Sequence, residues 1–443
     1  MAELLSVGLD VGTTTTQMIL SRLKVVNRAS SFAVPQLEIA QREILYESPV
    51  RFTPLLDGDR IDGGAIRKIV EQEYEKAGIH REQVDTGAVI ITGETSRKEN
   101  ARTVLENLSG FAGEFVVATA GPDLESVLAA KGAGAVRYSE ETGRNVLHFD
   151  IGGGTSNWAL INGGKFIKTG CLNVGGRLIK LDAQGIVTYV SPVLAGLTKL
   201  QSGERVSEKQ MKEVADLLVQ ALEMVAGLRE ETELLRKLTT LESAHRGVAV
   251  TDAQDLVISF SGGVADCIEQ EHFWLAYGDM GPVLGRMIRQ SRLCQGKYVL
   301  GSQTIRATVI GAGCHSAQLS GSTVFYRNVQ LPLKNLPVVT EISGLKQLDD
   351  PGVLALQGLE SPTYQQVTAL AEEIAGKVSG PIYVALLADM AKALGHALAL
   401  RLPQDVPLLC IDRVALGEGD YLDVGKPVGP ALPVVIKTMI FSQ

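Results

Sequence analysis

Cysteine is scarce and scattered: Cys171, Cys267, Cys294, Cys314 and Cys410 are the only five, and none stands in C-x-x-C spacing. That excludes a disulfide framework or a zinc knuckle built from one short segment, so any cysteine chemistry would have to be assembled by the fold. Basic charge is in deficit, with 42 Lys and Arg against 50 Asp and Glu and a formal charge of −8. This argues against nucleic acid as a partner. No long apolar run is present either. The most apolar helix-like stretch, Pro381 to Leu402, carries Asp389, Lys392 and His396, whereas a spanning helix needs roughly 18 or more nearly uncharged residues. Residues Met1 to Ser21 have no basic leader, apolar core and small-residue cleavage site, so no membrane partner is expected and the expected location is the cytosol. What the chain does have is 443 residues, 45% of them apolar, enough for about three cored units.

Leu4 to Asp10 is a short apolar run that delivers an acid to a glycine, as a buried strand does on meeting a turn. A strand over Gln17 to Leu23, a helix between Arg60 and Ala77 stopped by Gly78, a strand Ala88 to Thr92, a helix from about Arg97 to Leu108, a strand Glu114 to Ala118 and a helix from Pro122 to Lys131 follow. This alternation predicts an α/β unit over residues 1–140. A second start comes at Asn145 to Asp150. Strands Asn157 to Ile161 and Phe166 to Leu172 flank Asn162-Gly163-Gly164, a hairpin signal. Ser207-x-x-Gln210 is a capping box before an amphipathic helix, and strands Leu256 to Ser261 and Ile305 to Ile310 are expected to end in glycines. These make a second unit, residues 141–329. Prolines at 332, 337, 351 and 362 then mark a linker into a smaller α/β module, residues 330–443.

The chemistry lies in an internal repeat. Leu9-Asp-Val-Gly-Thr-Thr-Thr-Thr16 and Phe149-Asp-Ile-Gly-Gly-Gly-Thr-Ser156 each place an aspartate at the end of a strand and small residues in the turn beyond it. Nothing bulky in Gly12, Thr13, Thr14 and Thr15, or in Gly152, Gly153, Gly154 and Thr155, keeps a phosphate from the backbone N–H groups. Asp10 and Asp150 then stand where a phosphate-bound Mg²⁺ would be held, through water. One such turn alone is commonly just a strand ending; two copies, one per unit, favour a polyphosphate clamp. The P-loop pattern G-x-x-x-x-G-K-[ST] is absent. Gly311-Ala-Gly313 lacks the third glycine and the acid of a dinucleotide fingerprint.

The paired turns resemble the phosphate motifs of the actin, Hsp70 and sugar-kinase ATPase superfamily. Asn173-Val-Gly175-Gly176 resembles its Gly-Gly turn against the phosphates, and Ile258-Ser-Phe-Ser-Gly262-Gly263-Val264 its adenosine motif. The resemblance implies a two-lobed actin-like ATPase fold of duplicated ribonuclease-H-like domains, with ATP and Mg²⁺ in the cleft between lobes and residues 330–443 as an added module. It also implies that the helix from Pro122 lends a polar residue to the attacking water, with Glu125 first and Asp123 in reserve. Acids there equally serve the helix dipole, and both readings stand.

Together with the two turns, Ile91-Thr-Gly-Glu-Thr-Ser-Arg-Lys-Glu-Asn-Ala101 and Gly419-Asp-Tyr-Leu-Asp-Val-Gly-Lys-Pro-Val-Gly429 resemble the family of ethanolamine ammonia-lyase reactivating factors over essentially the whole chain. That implies an ATP- and Mg²⁺-dependent chaperone that exchanges damaged cobalamin on its client lyase for intact adenosylcobalamin, in the cytosol and open to association with a metabolic assembly or with further copies of itself. The cobalamin is expected on the client, since the chain holds no D-x-H-x-x-G stretch. Three other readings use the same nucleotide motifs: a small-molecule kinase, an ATPase activator of a dehydratase with a cluster at Cys171, and a filament-forming actin relative.

Overall fold

The computed structural model describes residues 2–12, 15–27, 37–56, 60–91, 104, 116–119, 122–241, 243, 245–248, 256–311, 317–319, 323–347, 351–378, 380–417, 420–425, 427 and 432–438. The first sheet is made by β1 (Ala2–Val11), β2 (Thr15–Asn27), β3 (Leu37–Glu47), the short β4 (Arg51–Phe52), β5 (Thr86–Ile91) and β6 (Val116–Thr119), with α1 (Gly63–Ala77) between β4 and β5. Its order is β3-β2-β1-β5-β6, with β4 on β2. The β1–β2–β3 part is antiparallel, and β1, β5 and β6 run parallel. Val7, Leu9 and Val11 alternate into a core with Met18, Leu20, Ile61, Ile66 and Val70; each such buried side chain contributes about 1.5–3 kcal/mol. The spacing of Ile66, Val70 and Tyr74 gives α1 its buried face. Asp62 caps its start by accepting from the Ala65 N–H, and Gly78 ends it in the left-handed region at φ 66°.

Next come α2 (Pro122–Gly132) and α3 (Ala135–Thr142), then β7 (Val146–Ile151), β8 (Ser156–Asn162), β9 (Lys165–Leu172), the β10 (Ile179–Leu181) and β11 (Val187–Val190) hairpin, α4 (Glu208–Val225), α5 (Glu233–Leu238), β12 (Val257–Ser261), α6 (Asp266–Glu269), α7 (Gly281–Gln290), β13 (Tyr298–Leu300) and α8 (Ala307–Ile310). The second sheet reads β9-β8-β7-β12-β13, the strand order of the first sheet again. The duplication implied by the resemblance is present, and the fold is α/β. The expected hairpin turns at Gly163 and Gly164, with φ of 53° and 78°, and the Ser207 to Gln210 capping box opens α4. The α4 face from Met211 to Val225 fills the core against β7, β8 and α7.

One expectation is overturned here: residues 305–310 are not a strand. Thr304 to Arg306 turn, and residues 307–310 form α8. Ile305, Val309 and Ile310 favour a strand by local propensity, but tertiary contact decides. Val309 and Ile310 pack on Ile19 of β2, and α8 meets α2 backbone to backbone. A Cβ on Gly132 would lie 1.8 Å from the Ala307 carbonyl oxygen, and one on Gly311 2.0 Å from that of Leu128. The strand beside β12 is β13 instead. Two further bonds fix this region to the first sheet. Gln17 Nε2 donates to the Ile305 carbonyl at 3.0 Å, and Arg306 donates to the Ser48 carbonyl at 2.9 Å.

The third sheet gathers β14 (Ala317–Leu319), β15 (Phe325–Arg327), β16 (Leu333–Val339), β17 (Val353–Leu356), β18 (Ile382–Leu386), β19 (Leu408–Ile411), β20 (Asp420–Val424) and β21 (Pro433–Thr438) in the order β14-β21-β20-β16-β17-β18-β19-β15. Strands β16 to β19 are parallel. The helices α9 (Tyr364–Lys377) and α10 (Ala391–Ala399) cross between them and pack on one face. Because β14 and β15 belong to it, this sheet reaches back before residue 330.

Candidate functional site

Each duplicated sheet ends its central strand in an aspartate followed by a tight connection to the next strand. In the first, the Gly12 N–H donates to the Thr15 carbonyl at 2.9 Å; in the second, the Gly152 N–H donates to the Thr155 carbonyl, also at 2.9 Å. Asp10 and Asp150 are both buried. Their cross-strand partners are Gln17 and Asn157, which share their side of the sheet. The side-chain carbonyl oxygens of Gln17 and Asn157 are buried and accept no hydrogen bond. Each turn therefore offers a carboxylate and an amide oxygen side by side, and the two pairs occupy equivalent places in the repeat.

The first turn is braced from β4. The Thr53 hydroxyl donates to the Gly12 carbonyl at 2.7 Å and lies 3.1 Å from the Thr16 hydroxyl. Thr13 and Thr14 lie outside the described residues.

The second turn is wired through two neighbouring strands. β7 carries His148-Phe149-Asp150 and β12 carries Ser259-Phe260-Ser261, in parallel register with His148 opposite Ser259 and Asp150 opposite Ser261. Strand alternation sends the polar residues to one face and the two phenylalanines to the other, where their rings stack 6.2 Å apart. On the polar face, Ser261 Oγ donates to Asp150 Oδ1 at 2.5 Å and Thr308 Oγ1 to Asp150 Oδ2 at 3.2 Å. His148 Nε2 lies 2.9 Å from Ser261 Oγ, and its Nδ1 lies 3.0 Å from Ser259 Oγ. Burial pushes the Asp150 carboxyl up from its ordinary range, and the Ser261 and Thr308 hydroxyls hold it back. Burial also lowers His148 to about 3, so the imidazole is neutral.

Gly175 and Gly176 lie against this turn. The Gly176 N–H donates to the Gly152 carbonyl at 3.0 Å and the Arg177 N–H to the Gly153 carbonyl at 2.7 Å. A Cβ on Gly175 would meet the Gly153 carbonyl oxygen at 2.3 Å, so only glycine allows the approach. Gly154 has open space around it. Arg177 donates to Asp279 at 3.1 Å, and its guanidinium lies 5.1 Å from the centre of the Phe52 ring. Phe52 pairs with Thr15, so this contact joins the surroundings of both turns. Burial raises the Asp279 carboxyl, opposed by the Gly281 N–H and Arg177.

The two glycines after β12 differ. Gly262 has φ 86°, and a Cβ there would sit 2.3 Å from the Ile151 carbonyl oxygen. Gly263 is exposed, and a Cβ there would meet only Ile305, at 3.8 Å. Glu125 is half-buried in the first turn of α2, which packs across β7, β8 and β9; the side chain of Asp123 lies outside the described residues. His148, Ser259, Ser261, Thr308 and Thr53 were not foreseen. The alternation of polar residues in His148-x-Asp150 and Ser259-x-Ser261 was the available signal, and it becomes informative only once the two strands are known to be neighbours.

Comparison with known proteins agrees over the full length. The family model of the ethanolamine utilisation protein EutA matches residues 2–442. Two curated proteins named ethanolamine ammonia-lyase reactivase EutA, from Salmonella typhimurium and Escherichia coli, are each 40% identical, with 100% of this chain and 99% of the relative covered. Among solved structures, a Ppx/GppA family member from Aquifex aeolicus is 13% identical at a TM-score of 0.43, covering 70% of this chain and 97% of that one. The chain belongs to the EutA family.

Proposed function

We propose that this protein is an ATP-dependent reactivating chaperone for ethanolamine ammonia-lyase, releasing damaged cobalamin from that client so that intact adenosylcobalamin can replace it. The client follows from the name carried by relatives 40% identical over their whole length. The nucleotide follows from one observation: the repeat places an aspartate and an unpartnered buried amide oxygen at each of two turns, Asp10 with Gln17 and Asp150 with Asn157. An all-oxygen donor set fits Mg²⁺, which keeps several waters and takes its remaining ligands from phosphates. Asp10 with Gln17 and Asp150 with Asn157 would hold the ion, directly or through water, and the ion would supply positive charge to offset charge that develops on the phosphates.

The chain's own parts then divide the work. Backbone N–H groups of the two turns and of Gly175 and Gly176 would cradle phosphates, Gly262 and Gly263 would let the adenosine approach, and Glu125 would orient the attacking water. Closure of the lobes on ATP and opening after hydrolysis would alter affinity for the lyase through contacts that differ between the two states. The dehydratase-activator alternative is disfavoured by Cys171, whose side chain is only 2% exposed and so poorly placed to share a cluster with a partner subunit. No helix among the described residues is long and apolar enough to cross a membrane.

The test is ATP hydrolysis by the purified protein with Mg²⁺, together with recovery of cyanocobalamin-blocked ethanolamine ammonia-lyase when adenosylcobalamin is supplied. Recovery that requires ATP is expected. Hydrolysis without recovery would overturn the client, and rapid phosphorylation of a small alcohol would establish a kinase instead.

A further inference from the structure

The nucleotide reading gives no task to His148, a wholly buried imidazole two residues before Asp150. Its surroundings are specific. Both ring nitrogens meet serine hydroxyls on one neighbouring strand, and one of those serines holds a carboxylate of the proposed metal site.

The proton directions follow from counting donors. A serine hydroxyl has one proton and can also accept. Ser261 gives its proton to Asp150 Oδ1 at 2.5 Å, so on its other side it can only accept. The neighbour there is His148 Nε2 at 2.9 Å, which must therefore carry a hydrogen. In a neutral ring Nδ1 is then an acceptor, and Ser259 at 3.0 Å must donate to it. The chain runs in one direction, from Ser259 through His148 and Ser261 to Asp150. We propose that His148 is a positioning residue for the nucleotide's metal: it locks the Ser261 hydroxyl so that its proton always points at Asp150, and thereby fixes the carboxylate in the orientation that receives a phosphate-bound Mg²⁺.

This rests on the nucleotide reading and adds a device to it. Thr308 holds the other oxygen of Asp150 from α8, so the carboxylate is gripped from two elements and cannot rotate without breaking a bond to one of them. Without the imidazole hydrogen, Ser261 is free to turn its proton elsewhere, and the grip on Oδ1 becomes intermittent. Partners one shell removed from a metal typically change its affinity by about 10- to 100-fold.

The experiment measures ADP binding to the full-length protein by calorimetry, with and without Mg²⁺, for the unaltered chain and for His148→Phe, Ser261→Ala and His148→Gln. The glutamine amide can donate where Nε2 did. His148→Phe and Ser261→Ala are expected to lose about 10-fold or more of the Mg²⁺-dependent gain in affinity while metal-free ADP binding holds, and His148→Gln to keep most of that gain. A merely structural role would instead lower both kinds of binding together. Nitrogen-15 spectra of the unaltered, nucleotide-free protein supply an independent readout that needs no variant, and the Nε2–H tautomer is expected. An Nδ1–H tautomer, or a full Mg²⁺-dependent gain in His148→Phe, overturns this proposal alone. Unaltered protein that binds no ADP under either condition overturns the nucleotide reading and this proposal with it. If His148→Phe does not fold, Ser261→Ala decides.

Discussion

The two aspartate turns share a strand order, a position and a closing hydrogen bond of 2.9 Å, yet they are supported by different means. The first is braced by Thr53 from the loop after β4, local in sequence and separated from Gly12 by 41 residues. The second is held by Ser261 and Thr308, 111 and 158 residues away from Asp150, and is overlaid by the Gly175-Gly176 backbone. Their ionisable surroundings differ too. Near the first turn, the buried Glu73 carboxylate accepts from Tyr46, Arg51 and Lys76, whereas beside the second an imidazole and hydroxyls hold Asp150 and Arg177 pairs with Asp279. Duplication has preserved the shape of the turn, and each copy braces it with different residues.

The contrast can be broken most severely at Gly262. Gly262→Val puts a branched side chain at positive φ against the Ile151 carbonyl, and is expected to cost roughly 3 kcal/mol or more. Thermal melts should show a large fall in Tm or no folded protein at all. Next in size is the proposed metal site. Asp10→Asn and Asp150→Asn are each expected to lower ATP hydrolysis on the order of 100-fold or more with the fold retained. Near-normal turnover in either one would show that the two copies are unequal partners, and in both would remove the site.

Glu73→Gln sharpens the electrostatic side of the comparison. Burial opposes ionisation of Glu73, but the hydrogen bonds from Tyr46, Lys76 and Arg51 prevail and hold its pKa below the ordinary value of 4.5. A carboxylate depressed in this way contributes stability above its unfolded pKa and loses it as pH falls through the folded one. The variant is therefore expected to be about 1–2 kcal/mol less stable near pH 7, with the difference shrinking below about pH 4.5. Denaturant titrations at several pH values check this; a pH-independent difference would mean packing rather than charge. Smallest in stability is Gly263→Val, next to Gly262 but facing open space. A change in stability within about 0.5 kcal/mol is expected, with weaker nucleotide binding read by calorimetry. Unchanged ADP affinity would move the adenosine site away from Gly263.

Much of the site was legible in the chain. Leu9-Asp10-Val-Gly12 and Phe149-Asp150-Ile-Gly152 announce strand ends because an apolar run, an acid and a glycine carry that information locally. Asn162-Gly163-Gly164, Gly78 and the Ser207 to Gln210 box are local for the same reason, and each stands where expected. Residues 305–310 misled because Val309 and Ile310 pack on Ile19 of β2 and the backbone of this segment meets α2, contacts that no window of sequence contains. Ser261 and Thr308 were illegible in another way: serine and threonine fit almost any exposed turn, and only their approach to Asp150 distinguishes them. Of the two stretches that single out the family, Thr92 to Ala101 lies outside the described residues, whereas most of Gly419 to Gly429 is described and its Asp420–Val424 forms β20.

The contact of α2 with α8 bears on inheritance. At Gly132 and Gly311 the space a methyl group would need is already taken by a carbonyl oxygen of the facing helix. Every single-nucleotide change that replaces either glycine adds at least that methyl, so neither position offers a neutral first step, and a second change on the facing helix could not make room because the obstacle is main chain. The crossing point admits one amino acid on each side.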